Sequence, residues 1–328
     1  MLRQNMRSLM RRTRRQTRTK ISQKGGKRAR AKSRGTRTRT TKKKLACSTD
    51  NNNDFTCYSR EALIKLRTLW NSRHPDDLIK SNDSRVIWES LKQRLSDVCD
   101  TEACWLRQRF IDEKTAKALL RYTFAPEAPP SWSKNPDEWL TSVDIERVMH
   151  QYEKRYPCFE FIGPSPIDYN EHMEYGQCVW EELCKLDLQN LVKRGKFKLG
   201  IIFNLDPHYK PGSHWVSLFV NLKRNYIFYF DSTGEPAPKQ VKQLVKTITE
   251  QAAAMGIELE FIENDRAHQK QDNECGMYSL YAIASQLKDI RSPHSFLKGG
   301  EITDKSMHQL RSRYFNQHGT LTKPKEKK

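Results

Sequence analysis

No stretch of eighteen apolar residues occurs anywhere in the 328-residue chain, so no segment is expected to span a membrane. The start, MLRQNMRSLMRRTRRQ, has basic residues with no apolar run behind them, which excludes an ordinary secretory signal. Its arginine-rich, acid-free composition also fits a mitochondrial presequence, but Gly, Lys and Arg clusters interrupt any amphipathic period. None of the eight cysteines (Cys47, Cys57, Cys99, Cys104, Cys158, Cys178, Cys184 and Cys275) forms a CxxC pair, so neither a structural zinc site nor a dithiol redox motif is indicated. Without a secretion signal, reduced thiols are the expectation.

Acidic residues are missing from one place in particular. Residues 1 to 44 hold nineteen Lys or Arg and no Asp or Glu, whereas residues 45 to 328 hold forty basic against thirty-nine acidic side chains. The net charge of +20 therefore sits almost wholly in the first tail. A segment such as KRARAKSRGTRTRTTKKK has too few apolar groups to offset the entropy of ordering, and residues 1–50 are expected to be a disordered basic arm. Its natural partner is a polyanion, since neutralising phosphates releases counterions whatever the base sequence. Arg11, Arg12, Arg14, Arg15, Lys27, Arg28, Lys42, Lys43 and Lys44 are the candidate nucleic-acid contacts, with nuclear import or simple solubilisation as the alternatives.

What is present after the arm divides into two characters. From 56 to 124 the apolar spacing is helical: Leu63, Leu66 and Trp70 behind a capping Ser59, then Val86, Ile87, Leu91 and Leu95, then a third helix through EACWLRQRFIDEKTAKALLRYTF. Four prolines between 125 and 138 mark a connector. From 139 to 317 helices and strands mix. A helix ends before Pro157, FEFIGPSPIDY is a short strand, CVWEELCKLDLQNLVKRG is one helix closed by Gly195, and FKLGIIFNLD is a strand. WVSLFV and YIFYFD form a hairpin, KQVKQLVKTITEQAAAMG is an amphipathic helix, and IELEFIE is another strand. An apolar helix runs from Met277 to Leu287 with Cys275 at its first turn, a surface helix follows, and residues 318–328 are a polar tail. Strands and helices in this arrangement indicate an α+β domain.

One constellation within this domain could carry chemistry. His214 and Asp231, seventeen residues apart, flank one hairpin, so the carboxylate can orient the imidazole and favour its charged form. A helix start beside an imidazole favours the thiolate of Cys275, the nucleophile that acyl transfer needs. The Cys275 N–H and the amide of Gln269, six residues earlier, can serve as oxyanion donors, with Gln271 an equally available rival. Taken singly each residue has a plainer explanation: a satisfied core histidine, a turn aspartate, a buried thiol, a loop amide.

The set taken together resembles a known signature. HW at 214 and 215, FDS at 230 to 232 and QKQDNECG from 269 to 276 are similar to the adenovirus-protease and SUMO-protease clan of cysteine peptidases, over roughly residues 139 to 290. WNSRHPDDLI, CWL at 104 to 106 and WLTSVDIERVMHQYEKRYPCFEFIGPSPIDY look like the maturation proteases of large cytoplasmic DNA viruses, of African swine fever virus and iridovirus type. The resemblance implies a papain-like α+β core with a central mixed sheet and flanking helices, preceded by a helical extension. It implies His214 as base, Asp231 as its orienter, Gln269 as oxyanion donor and Cys275 as nucleophile, with neither metal nor organic cofactor. The expected activity is endopeptidase cleavage of viral structural precursors after Gly-Gly-like pairs, in a groove walled by Trp139 and Trp215. Location in the virion core and the host cytoplasm or viral factory goes with it, the host nucleus being the alternative. Removal of a ubiquitin-like modifier, or a nucleic-acid-binding virion component with an inactive protease fold, are the competing functions. Gly25-Gly26 and Gly299-Gly300 are candidate self-cleavage sites.

Overall fold

The computed structural model describes residues 45–49 and 54–321. The basic arm with its Lys and Arg candidates, the Gly25-Gly26 pair and residues 322–328 lie outside the described residues.

Four helices come first: α1 (Arg60–Arg73), α2 (Ser84–Arg94), α3 (Glu102–Trp105) and α4 (Glu113–Thr123). Each long one starts on a side chain that accepts an otherwise unpaired amide: Ser59 from Ala62, Asp83 from Arg85 and Val86, Asp112 from Thr115. The cap at Asp112 is why the single helix expected over 102–124 is two. Leu63, Leu66, Trp70, Ile87, Leu91, Trp105 and Phe110 close on one another as a separate apolar cluster, with Leu321 from the far end of the chain. Asn316 fastens this region to the rest, taking the Ala46 N–H and donating to the Ala46 and Ala125 carbonyls at 2.8–2.9 Å.

The remaining elements are α5 (Ser142–Arg155), β1 (Phe159–Pro166), α6 (Glu181–Cys184), α7 (Leu188–Lys193), β2 (Lys198–Asn204), β3 (Trp215–Asn221), β4 (Tyr226–Phe230), α8 (Lys239–Ala253), β5 (Glu260–Glu263), α9 (Cys275–Leu287), α10 (Pro293–Lys298) and α11 (Asp304–Tyr314). A Thr141 and Asp144 capping box opens α5. The one helix expected over 178–195 is again two, because Asp187 caps α7 by accepting from the Asn190 amide.

The strands form one sheet in the order β1-β2-β3-β4-β5, antiparallel in its centre and parallel at both edges. Both faces are covered, so the strands are apolar on both sides rather than alternating with polar residues. Trp215, Phe219, Phe228 and Phe230 face α5 and α9, while Val216, Leu218, Val220, Ile227 and Tyr229 face α7 and α8. Leu280, Ile283 and Leu287 of α9 are buried against the first face. Each contributes about 1.5–3 kcal/mol of apolar transfer, which holds the helix and hence its first residue in place.

The expectation of reduced cysteines is corrected by the fold. Cys47–Cys57, Cys99–Cys104 and Cys178–Cys184 are disulfides, leaving Cys158 and Cys275 as free thiols. The partners lie five to ten residues apart in sequence, spacings that a search for CxxC pairs passes over. Helix α11, expected on the surface, buries Met307, Arg311 and Tyr314.

The helix that begins at Cys275 crosses the sheet where β2 has no side chain. A Cβ on Gly200 would stand 2.8 Å from the Phe159 ring and 3.1 Å from Ile283. Gly200→Val is expected to lower stability by about 1–3 kcal/mol through overpacking. Equilibrium denaturation checks it: an unchanged midpoint would contradict this close approach.

Candidate active site

The hairpin of β3 and β4 puts His214 immediately before one strand and Asp231 immediately after the other. Ser217 lies opposite Phe230, so Asp231 is one residue and His214 three residues beyond the last pair, at the same end of the hairpin. His214 is anchored by its carbonyl, which accepts from Leu205 N at 2.9 Å. The loop leading to it is held by Asn204, whose Oδ1 accepts from Asp206 N and Ser213 N. His214 Nε2 donates to Asp231 Oδ1 at 2.8 Å.

Asp231 is almost fully buried, and its charge is answered on several sides. Oδ1 also accepts from the Thr233 N–H and hydroxyl, both at 2.8 Å, while Asn264 Nδ2 donates to its carbonyl at 2.7 Å. The turn closes at Gly234, whose φ of +80° and close approach to Arg266 and Ala267 suit a residue without Cβ. Burial works against a charged His214 ring, yet hydrogen bonding and charge from Asp231 and Cys275 outweigh it and push the pKa from 6.5 up to about 10. The imidazolium is therefore the favoured form at neutral pH.

Cys275, 1% exposed, is the first residue of α9. Its neighbour explains the glycine of the CG pair, because a Cβ on Gly276 would stand 2.9 Å from Leu140 Cβ. Leu140 in turn accepts, through its carbonyl, the indole N–H of Trp215 at 3.0 Å. Trp215 is thus nearly buried and ties β3 to the segment carrying Trp139, which is 42% exposed.

Gln269 enters from the loop after β5 and is bound back to the hairpin. The amides of His268 and Gln269 both donate to the Ser232 carbonyl at 2.8 Å, and Ser232 Oγ donates to Gln269 Oε1 at 2.6 Å. Gln269 Nε2 donates to the Gln271 carbonyl. The rival, Gln271, is on the exposed side of the loop. His214, Asp231, Gln269 and Cys275 thus occupy one end of the sheet. A cavity of about 310 Å³ lined by Arg224, Tyr226, Asp289 and Arg291 lies at the other end of β4 and includes none of them.

Some residues that build the site were not among the sequence candidates. Glu274, 1% exposed, receives Arg311 Nε at 3.0 Å on both carboxylate oxygens. The same guanidinium donates to the Asn273, Pro136 and Glu138 carbonyls and lies 4.5 Å over the Trp132 ring. Burial pushes the Glu274 carboxyl above the ordinary carboxylate range, against the pull of Arg311 and His308. Glu274 had a visible signal in its position beside Cys275; Arg311 had none, lying on a helix that reads as exposed. Two groups of three metal-type donors occur among the described residues. In one, His172 stands beside Cys178 and Cys184, whose sulfurs are joined; in the other, Asp137 and His308 share Glu274 with Arg311.

Residues 198–324, which span β2 to α11 and so include all four site residues, match the Ulp1 protease family, C-terminal catalytic domain. Over that segment the chain is similar to Ulp1-type cysteine protease domains. Over 292 residues it is 28% identical to a thiol protease of Acanthamoeba polyphaga mimivirus, covering 82% of this chain and 92% of that one. It is 25% identical over 259 residues to a cysteine protease of African swine fever virus, covering 73% and 91%. Another isolate's relative, 24% identical over the same length, is named a SUMO-1 cysteine protease. The crystal structure of the African swine fever virus protease covers 84% of this chain and 97% of its own, with a TM-score of 0.57 at 21% identity, a likeness of fold. The 292-residue match is longer than the 198–324 segment, so the similarity to viral proteases reaches upstream of β2.

Two outcomes test this geometry. Asp231→Asn removes the charge that favours imidazolium, so the alkaline limb of the pH profile of kcat/KM moves from near pH 10 toward neutrality. A limb left in place would contradict the assignment of that limb to His214. Arg311→Met strands a buried carboxylate and costs about 3–5 kcal/mol, read as a lowered denaturation midpoint; a stability change under about 1 kcal/mol would contradict the pairing.

Proposed function

We propose that this protease is an endopeptidase in which Cys275 is the nucleophile, His214 the acid and base, Asp231 the group that orients His214, and Gln269 with the Cys275 amide the oxyanion donors. The single observation that carries this reading is the His214–Asp231 hydrogen bond in a buried setting that keeps the ring charged beside Cys275. The first amides of a helix lack intrahelical acceptors, which leaves the Cys275 N–H able to donate.

The reaction then balances without a further group. The Cys275 thiolate adds to the scissile carbonyl, and the oxygen that gains the electron pair is held by the Gln269 amide and the Cys275 N–H. As the carbonyl re-forms, the C–N bond breaks and His214 gives its proton to the departing amine, leaving a thioester. Neutral His214 next takes a proton from water, which adds to the thioester. Collapse of that second intermediate expels Cys275 as thiolate and restores the starting pair.

The relatives support a protein substrate. Proteases of large DNA viruses match over nearly their whole length, which supports a viral processing role; Gly-Gly-like sites in virion precursors are the substrate proposed for it. Exposed Trp139, carried by the segment that packs on Gly276, is the proposed wall of the groove that selects small residues. Action in assembling particles, with the basic arm on nucleic acid, belongs to the same proposal. A second reading, removal of a ubiquitin-like modifier, is favoured by the relative named as a SUMO-1 protease.

A fluorogenic Gly-Gly-X peptide, compared with a Gly-Gly-linked modifier fusion, separates the two. Wild-type enzyme is expected to cut the peptide and Cys275→Ala to leave it intact. Equal turnover by both would remove Cys275 from the mechanism, and cleavage of the fusion alone would favour the modifier reading.

A further inference from the structure

The oxyanion amide cannot do its work unless its nitrogen, and not its oxygen, faces the reacting carbonyl. The two ends of a carboxamide are nearly the same size, so shape alone does not choose between them. In Gln269 the choice is made by bonding. The Gln271 carbonyl can only accept, so it takes the NH2 end, and Ser232 Oγ, able to serve either end, then donates to Oε1 at 2.6 Å. Of the two Nε2 protons, one goes to the Gln271 carbonyl, and the other remains for a substrate oxygen.

We propose that Ser232 is a positioning residue for catalysis: its hydroxyl holds Gln269 Oε1 while the Gln271 carbonyl sets the amide's polarity, and together they keep Nε2 toward the oxyanion. This rests on the reading of Gln269 as oxyanion donor. Ser232 has no exposed surface, and its carbonyl also takes the His268 and Gln269 amides, so the side chain and backbone of one residue hold the donor at two points. Ser232 directly follows Asp231 in the chain. The same turn therefore sets the imidazole through one residue and the oxyanion donor through the next. Without the hydroxyl the carboxamide keeps only its bond to the Gln271 carbonyl and is held less firmly, and any rotated form presents a carbonyl oxygen to a developing negative charge.

A double-mutant cycle tests it on full-length enzyme with a fluorogenic Gly-Gly-X peptide, each variant first compared with wild type by near-UV circular dichroism. Gln269→Ala is expected to lower kcat by about 10²–10³-fold. Ser232→Ala is expected to lower kcat by about tenfold or more with KM within about twofold, and to add less than about twofold in the Gln269→Ala background. Ser232→Cys keeps the size with a weaker donor and is expected to fall between wild type and Ser232→Ala. Full activity of Ser232→Ala beside a crippled Gln269→Ala would overturn the positioning role. An equal loss from Ser232→Ala in both backgrounds would assign Ser232 to general structure instead. Unimpaired Gln269→Ala would sink the oxyanion reading itself, and the proposal with it.

Discussion

The site depends on one hydrogen bond, between His214 Nε2 and Asp231 Oδ1, made where water is largely excluded. Burial alone would strip the charge from the imidazole. The carboxylate reverses that outcome, and it can do so because its own charge is held by the Thr233 N–H and hydroxyl. A carboxylate buried without such donors would neutralise itself and lose its influence on the ring. The hairpin register is the structural condition for all of this, since a slip of one residue would turn His214 to the opposite face of the sheet.

Around that bond the chain converges from distant places. α9 brings Cys275 because its apolar body is buried against β3 and β2, while Gly276 lets it come close to Leu140 and Gly200 leaves room on β2 for Ile283. The loop before α9 is secured at both ends: at Gln269 by Ser232, and at Glu274 by Arg311. Arg311 also binds the connector through the Pro136 and Glu138 carbonyls, so the segment carrying Trp139 and the loop that ends at Cys275 share one support. A planar guanidinium with five donors suits that task; a lysine could answer only part of it.

Much of this was legible in the sequence, for reasons that can be stated. The β3 and β4 segments are dense in aromatic and β-branched residues, α8 repeats its apolar residues at helical spacing, and Ser59 precedes such a repeat. These are local signals. The four candidate groups were picked out as a pattern of order and spacing, not from any one of them. What escaped was non-local or fell between patterns. The break at Asp112 and the break at Asp187 were hidden by helix formers on both sides. The three disulfides have spacings without a metal or redox motif. Ser232 reads as a turn residue, and Arg311 as one more basic residue on a charged helix; only packing reveals that each is buried against the loop that ends at Cys275.

The central proposal is that a thiol with 1% exposure is nonetheless the reactive one, because His214 lies within hydrogen-bonding reach of it. Cys158, the other free thiol and the more exposed, supplies an internal reference. The direct measurement is the rate of iodoacetamide alkylation at each, followed by peptide mass spectrometry in wild type and His214→Ala. Cys275 is expected to react faster than Cys158 in the wild type and to lose that advantage in His214→Ala. Slower labelling of Cys275 than of Cys158, or a rate unchanged by loss of His214, would contradict the account.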